Sequence, residues 1–185
     1  MMQTPPIPES LKMWLETYPQ SPTPWLMYGI GNVGRNDDGL GIRWIEEMER
    51  LATAPPSRIL NPPIESNSSC LLKNLSFQSN YQLNIEDALE ITKYDLVIFA
   101  DASKESMTTP FQLVEVFPNN EISFSTHAMT IENLLALCEA LYGKRPLAYL
   151  LKIQGYSWEI QDHLSIEGEK TLAKTLDALA PLFRQ

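Results

Sequence analysis

Two cysteines and two histidines are all that 185 residues provide for soft metal ligation. Cys70 and Cys138 stand far apart and form no Cys-x-x-Cys pair, which excludes a disulfide framework and a thiolate zinc site. Cys138 lies within an apolar helical pattern and reads as a small buried hydrophobe. His163 falls in a polar run, Gln161 to Ser165, and reads as a surface residue. A basic cluster is also missing. The 14 Lys and Arg are scattered among 23 Asp and Glu, for a net charge of -9. Nucleic-acid binders usually carry a basic stripe, so nucleic acid is not expected as a partner. No apolar run approaches the roughly 18 residues of a membrane span. The proline-rich start lacks the basic residues and apolar core of a signal peptide. A cytoplasmic protein without membrane contact is expected.

What is present is an alternation of strands and helices. Residues 1–24 read as a proline-rich N-terminal extension, packed on the domain by a short helix carrying Leu11, Trp14 and Leu15. Residues 25–185 read as one domain. Strands are expected at Trp25–Ile30, Asn74–Gln82, Asp95–Ala100, Phe111–Phe117 and Leu147–Ile153. The third is almost continuously apolar and therefore expected at the centre of a parallel sheet; the fourth alternates and suits an edge. Helices are expected over 40–54, 83–91, 125–142 and 166–183, the last with Leu172, Leu176, Leu179 and Leu182 inward. The fold class that follows is α/β: a three-layer sandwich, with a mostly parallel twisted sheet of about five strands and helices on both faces.

The chemistry concentrates at strand ends. Gly29, Gly31 and Gly34 break the first strand, and Asp37 and Asp38 precede a helix, whose dipole favours them. Asp101 ends the central strand, and His127 opens the next long helical pattern. Loops after parallel strands converge at one carboxyl edge. Asp38, Asp101 and His127 are therefore expected to meet, as two carboxylates and an imidazole acceptable to zinc, nickel or manganese. Asp37 alone also reads as a helix cap. The Gly-x-Gly-x-x-Gly spacing suggests a dinucleotide site, but the helix does not open at the third glycine. Two carboxylates there also repel phosphate, at a cost on the order of 4 kcal/mol per close pair in an effective dielectric of 20.

The run Gly29-Ile-Gly-Asn-Val-Gly-Arg-Asn-Asp-Asp-Gly-Leu-Gly41 resembles the signature of the nickel–iron hydrogenase maturation endopeptidases. Ile98-Phe-Ala-Asp-Ala102 is similar to that family's apolar strand ending in Asp-Ala, and Ser125-Thr-His-Ala-Met129 to its single-histidine segment. The match spans roughly residues 25–155, in the family's order. The resemblance implies that residues 25–185 form a protease domain, an endopeptidase that removes the C-terminal extension of a hydrogenase large-subunit precursor after nickel insertion. It implies Asp38, Asp101 and His127 as ligands that recognise nickel supplied by the substrate, with no permanently bound cofactor. Asn32 would shape the turn and contact substrate. Glu86 and Asp87, where other members have a glycine-rich turn, would line the same cleft and bear on the client. The residue acting in catalysis stays open, with Asp37 and Asp38 as candidates to activate water. Two other readings stay open too: a non-catalytic nickel-dependent chaperone, and a small metallopeptidase with its own zinc. The segment after Gly155, Tyr-Ser-Trp-Glu-Ile, departs from the family by lacking a proline-containing turn.

Overall fold

The computed structural model describes residues 5–17, 23–53, 74–119 and 129–183. The insert over 54–70, with Cys70, and the expected ligand His127 lie outside the described residues. In chain order the elements are α1 (Glu9–Thr17), β1 (Trp25–Ile30), a 3-10 turn (Asn36–Gly39), α2 (Leu40–Thr53), β2 (Leu75–Asn80) and α3 (Asp87–Ile91). Then follow β3 (Leu96–Ser103), β4 (Phe111–Glu115), α4 (Ile131–Tyr142), β5 (Leu147–Gln154), α5 (Ile166–Leu179) and a 3-10 turn (Ala180–Phe183). The five strands form one sheet in the order β2-β1-β3-β5-β4. Only β4, at the edge, runs antiparallel.

Strand alternation divides the core into two layers. Trp25 and Met27 of β1, Ile98 and Ala100 of β3, and Leu151 and Ile153 of β5 face α1, α2 and α5. Leu26 and Tyr28, Val97 and Phe99, and Ala148 face α3 and α4. Trp25 anchors the first layer, with its ring centroid 5.6 Å from Trp14 and 5.5 Å from Phe183. Burying a large apolar side chain of this kind contributes about 2–3 kcal/mol. The short helix α1 is thereby tied to the domain, and the Tyr149 hydroxyl, donating to Ser10 Oγ at 2.7 Å, adds a polar link. No described helix is long and apolar enough to cross a membrane.

Two boundaries and one helix face differ from expectation. The helix expected from Ser125 begins only at Ile131. Thr130 is extended and its hydroxyl accepts from Asn133 N–H, an N-cap that fixes the start. The helix expected from Leu83 is confined to Asp87–Ile91, because residues 85–86 form a turn. In α5 the fully buried positions are Gly168, Thr171, Thr175 and Leu179, while Leu172, Leu176 and Leu182 are half-buried at the flank. Thr175 can be buried because its hydroxyl donates to the Thr171 carbonyl at 2.8 Å.

The start of α2 lies directly across the ends of β1 and β3. A Cβ on Gly41 would stand 2.2 Å from the Ala100 carbonyl oxygen and 2.5 Å from that of Ile30. Both contacts are with backbone and cannot yield. Gly41→Ala is therefore expected to destabilise the fold by about 3 kcal/mol, a severe overpacking cost. Urea denaturation would show this as a lower midpoint with an unchanged slope.

Candidate functional site

The strand order creates the site. From β1 the chain passes through α2 to β2 on one side. It returns to β3 on the other side of β1, and the next long helix, α4, covers the opposite face. The carboxyl ends of β1 and β3 thus flank a topological switch point, where an open sheet leaves a crevice. The loop from Gly31 to Gly39 and the end of β3 line that crevice. Gly31, with φ +137°, turns the chain, and any Cβ there would lie 1.9 Å from the Asp38 carbonyl oxygen. Asn32 stabilises the same turn. Its side-chain oxygen accepts from Gly34 N–H at 2.9 Å, and its own N–H donates to the Asp38 carbonyl at 3.2 Å.

The two adjacent aspartates have unlike surroundings. Asp37 is fully buried, with both oxygens committed. Oδ2 accepts from Tyr156 N–H at 2.8 Å, Ser157 N–H at 3.1 Å and the Ser165 hydroxyl at 2.7 Å; Oδ1 accepts from Ser165 N–H at 2.8 Å. Ser165 is the N-cap of α5, so the carboxylate also sits at that helix's positive end. Gly168 is required beside it, since a Cβ there would stand 2.2 Å from Asp37 Oδ1. Asp37 does not cap its own helix, and its buried carboxylate already accepts four hydrogen bonds. These bonds tie the loop after β1 to the start of α5.

Asp38 is half-buried, and its carboxylate has no hydrogen-bond or ionic partner among the described residues. Asp101 follows Phe99 on the α4 face of β3 and accepts from Ala102 N–H at 2.8 Å. Burial pushes the Asp101 carboxyl from an ordinary 3.8 up to about 6; the Ala102 N–H opposes this and the charge of Asp38 adds to it. Asp38 therefore acts on Asp101 across the crevice. Two carboxylates with unused oxygens in one crevice are suited to a divalent cation or to sharing a proton. Among the described residues, no three His, Cys, Asp or Glu side chains converge on one point.

The other expected residues divide. Glu86 is exposed on the loop after β2, at the same edge. Asp87 turns inward: its Oδ2 accepts from Asn84 N–H at 2.7 Å. Burial, and next the charge of Asp87, push the Tyr28 hydroxyl up to about 12. Asp87 therefore holds the loop to β1, whereas Glu86 faces solvent. Cys138 is buried, with its thiol donating to the Ala88 carbonyl at 3.3 Å, and burial raises it to about 11, which leaves it inert. His163 is exposed as expected. Sequence reasoning missed Asn36. Held at φ 44°, it donates through Nδ2 to the His163 carbonyl at 2.6 Å and accepts from the Ser157 hydroxyl at 2.9 Å. An asparagine before two aspartates was the available signal, since Asn tolerates this backbone region.

Neither a family model nor a curated protein matches the sequence. Solved structures do match. The NiFe hydrogenase maturation protease HycI from Thermococcus kodakarensis superposes with a TM-score of 0.63 at 17% identity, over 94% of this chain and 99% of that one. The fold is that of the hydrogenase maturation proteases. The hydrogenase 2 maturation peptidase from Thaumarchaeota archaeon SCGC_AB-539-E09 gives 0.55 at 21% identity, over 88% and 99% of the two chains. The hydrogenase maturating endopeptidase HybD from E. coli gives 0.55 at 20% identity, over 85% and 93%.

Two outcomes follow for the maturation-protease fold as this chain builds it. Asp37→Asn turns an amide N–H toward groups that are themselves donors and should cost about 3–5 kcal/mol in urea denaturation. Asp101→Asn should have the opposite sign. A carboxyl whose pKa is raised on folding contributes stability that is full below pH 4 and lost as the pH rises through 6. Removing the charge should therefore stabilise the protein at pH 8, by on the order of 2 kcal/mol after allowing for partial exposure, and have no such effect at pH 4.

Proposed function

We propose that this chain is a cytoplasmic endopeptidase that removes the C-terminal extension of a nickel–iron hydrogenase large-subunit precursor once nickel has been inserted. One observation carries the reading. Asp38 and Asp101, from remote segments and with unused oxygens, interact at the switch point of a fold shared with hydrogenase maturation proteases.

Nickel enters as part of the substrate, bound to the client, and the chain needs no resident cofactor. Asp38 and Asp101 supply hard oxygen donors and His127 an imidazole nitrogen, a set that nickel accepts. Three protein ligands leave positions for the client's own ligands. A cation between the two carboxylates relieves their repulsion and draws the remaining proton from Asp101. Held in this way, the client's ion positions the scissile amide and polarises its carbonyl. Asn32 and the turn glycines keep the backbone low, so that the client chain approaches closely. Glu86, on the outer side of the same edge, contacts the client.

Asp38→Asn, Asp101→Asn and His127→Ala should each leave a folded protein and slow processing by at least about 100-fold, a loss expected when one ligand of a metal-directed site is removed. Mass spectrometry of the nickel-loaded precursor reads this directly. Client binding should require nickel. It should also weaken as the pH falls through about 6–6.5, where Asp101 and an unperturbed histidine take up protons. Normal processing by His127→Ala, or nickel-dependent binding that leaves the precursor's length unchanged, contradicts the reading.

A further inference from the structure

The segment between β5 and α5 is the part of the edge least explained by the site. Asn36 and Asp37 hold it firmly. Asn36 N–H donates to the Gln161 carbonyl at 2.9 Å and Asp37 N–H to that of Ser157 at 3.1 Å, in addition to the side-chain bonds to Tyr156, Ser157, His163 and Ser165. A loop fixed this tightly cannot fold its apolar residues inward. Yet it leaves Tyr156 48% and Ile160 86% exposed. Trp158 between them is half-buried, its ring seated on Gly155, where a Cβ would stand 2.8 Å from the ring.

Two cations frame that ring. Lys104 Nζ lies 5.2 Å from the Trp158 ring centroid, and Arg35 Nη2 donates to the Trp158 carbonyl at 3.3 Å. Lys12, Arg43, Arg50, Lys93, Lys144, Arg145 and Lys152 each hold a carboxylate. Arg35, Lys104 and, on the remote helix α5, Lys170 hold none among the described residues, although the chain carries a net charge of -9. Arg35 precedes Asp38 by three residues, and Lys104 follows Asp101 by three, so the pair borders the acidic crevice. Exposed apolar side chains on a fixed loop and cations without a counter-charge point to one kind of occupant.

We infer that Tyr156, Trp158 and Ile160, with Arg35 and Lys104, form a docking surface for a peptide segment of the client that carries an apolar side chain beside an acidic one. The inference rests on the proposed function only for whose peptide this is. The apolar side chain lies against Trp158 and Ile160, and the carboxylate pairs with Lys104 and Arg35. The exposed Glu159 and the Asp38–Asp101 pair disfavour a second negative charge nearer the crevice.

The test uses the full chain and a blocked heptapeptide of glycine, leucine and aspartate, beside two counterparts carrying asparagine or lysine in place of aspartate. In low salt the aspartate peptide should shift the Trp158 indole N–H resonance and bind at least about tenfold more tightly than either counterpart, a preference that added salt erases. Arg35→Glu with Lys104→Glu, two exposed changes, should abolish that preference while the thermal midpoint stays within a few degrees. Equal binding of the three peptides, preference for the lysine peptide, or an unmoved Trp158 signal overturns the inference. Precursor cleavage by the unmodified protein separates this from the functional reading. Cleavage with an unchanged KM in the charge-reversed protein sinks the docking surface alone. Selective peptide binding without cleavage upholds the surface and sinks the protease.

Discussion

A single buried carboxylate organises the functional edge of this protein. Asp37 accepts four hydrogen bonds from residues that follow β5, joining the loop after the first strand to the loop after the last. Its desolvation is offset by charge-assisted bonds and by the amide-rich start of α5. Gly168 exists as glycine because the carboxylate occupies the space a side chain would need. With this junction made, the turn that bears Asp38 is held on both sides, by Asn32 within its own loop and by the far loop through Asn36 and Asp37.

That rigidity lets the neighbouring position be electrostatically unfavourable. The Asp38 carboxylate has no partner among the described residues, and its charge acts on a buried Asp101 that already resists ionisation. An ordinary core would relax away from such an arrangement. Here α2 is pressed against the ends of β1 and β3 through Gly41, and the crevice cannot collapse. Two consecutive aspartates thus divide the work: the first stabilises the edge, and the second stays available there.

Much of this was legible in the residues. The apolar runs at Trp25, Leu96 and Leu147 are strands because they are buried on both faces, and their parallel order follows from the helical stretches between them. The fold class follows from the same alternation, and the positions of Asp38 and Asp101 after β1 and at the end of β3 put both at one edge of the sheet. What could not be read was which aspartate does what. The partners of Asp37 lie 119 to 128 residues away and are mostly backbone N–H groups, which carry no sequence signal. The inner face of α5 was hidden for a related reason. Thr171 and Thr175 look polar but satisfy or cover their hydroxyls within the helix, so leucine spacing pointed about one position off. The start of α4 is hidden in the same way: a leucine-rich helical pattern reads through Thr130, whereas its hydroxyl caps the helix there.

Asp38 and Asp101, remote in sequence, act on one another in a shared crevice. A carbon-13 NMR titration of the side-chain carboxyls measures this most directly, in the wild-type chain and in Asp38→Asn. The Asp101 midpoint should lie near 6 and move down when the Asp38 charge is removed. A midpoint at the ordinary 3.8, unchanged by that substitution, contradicts it.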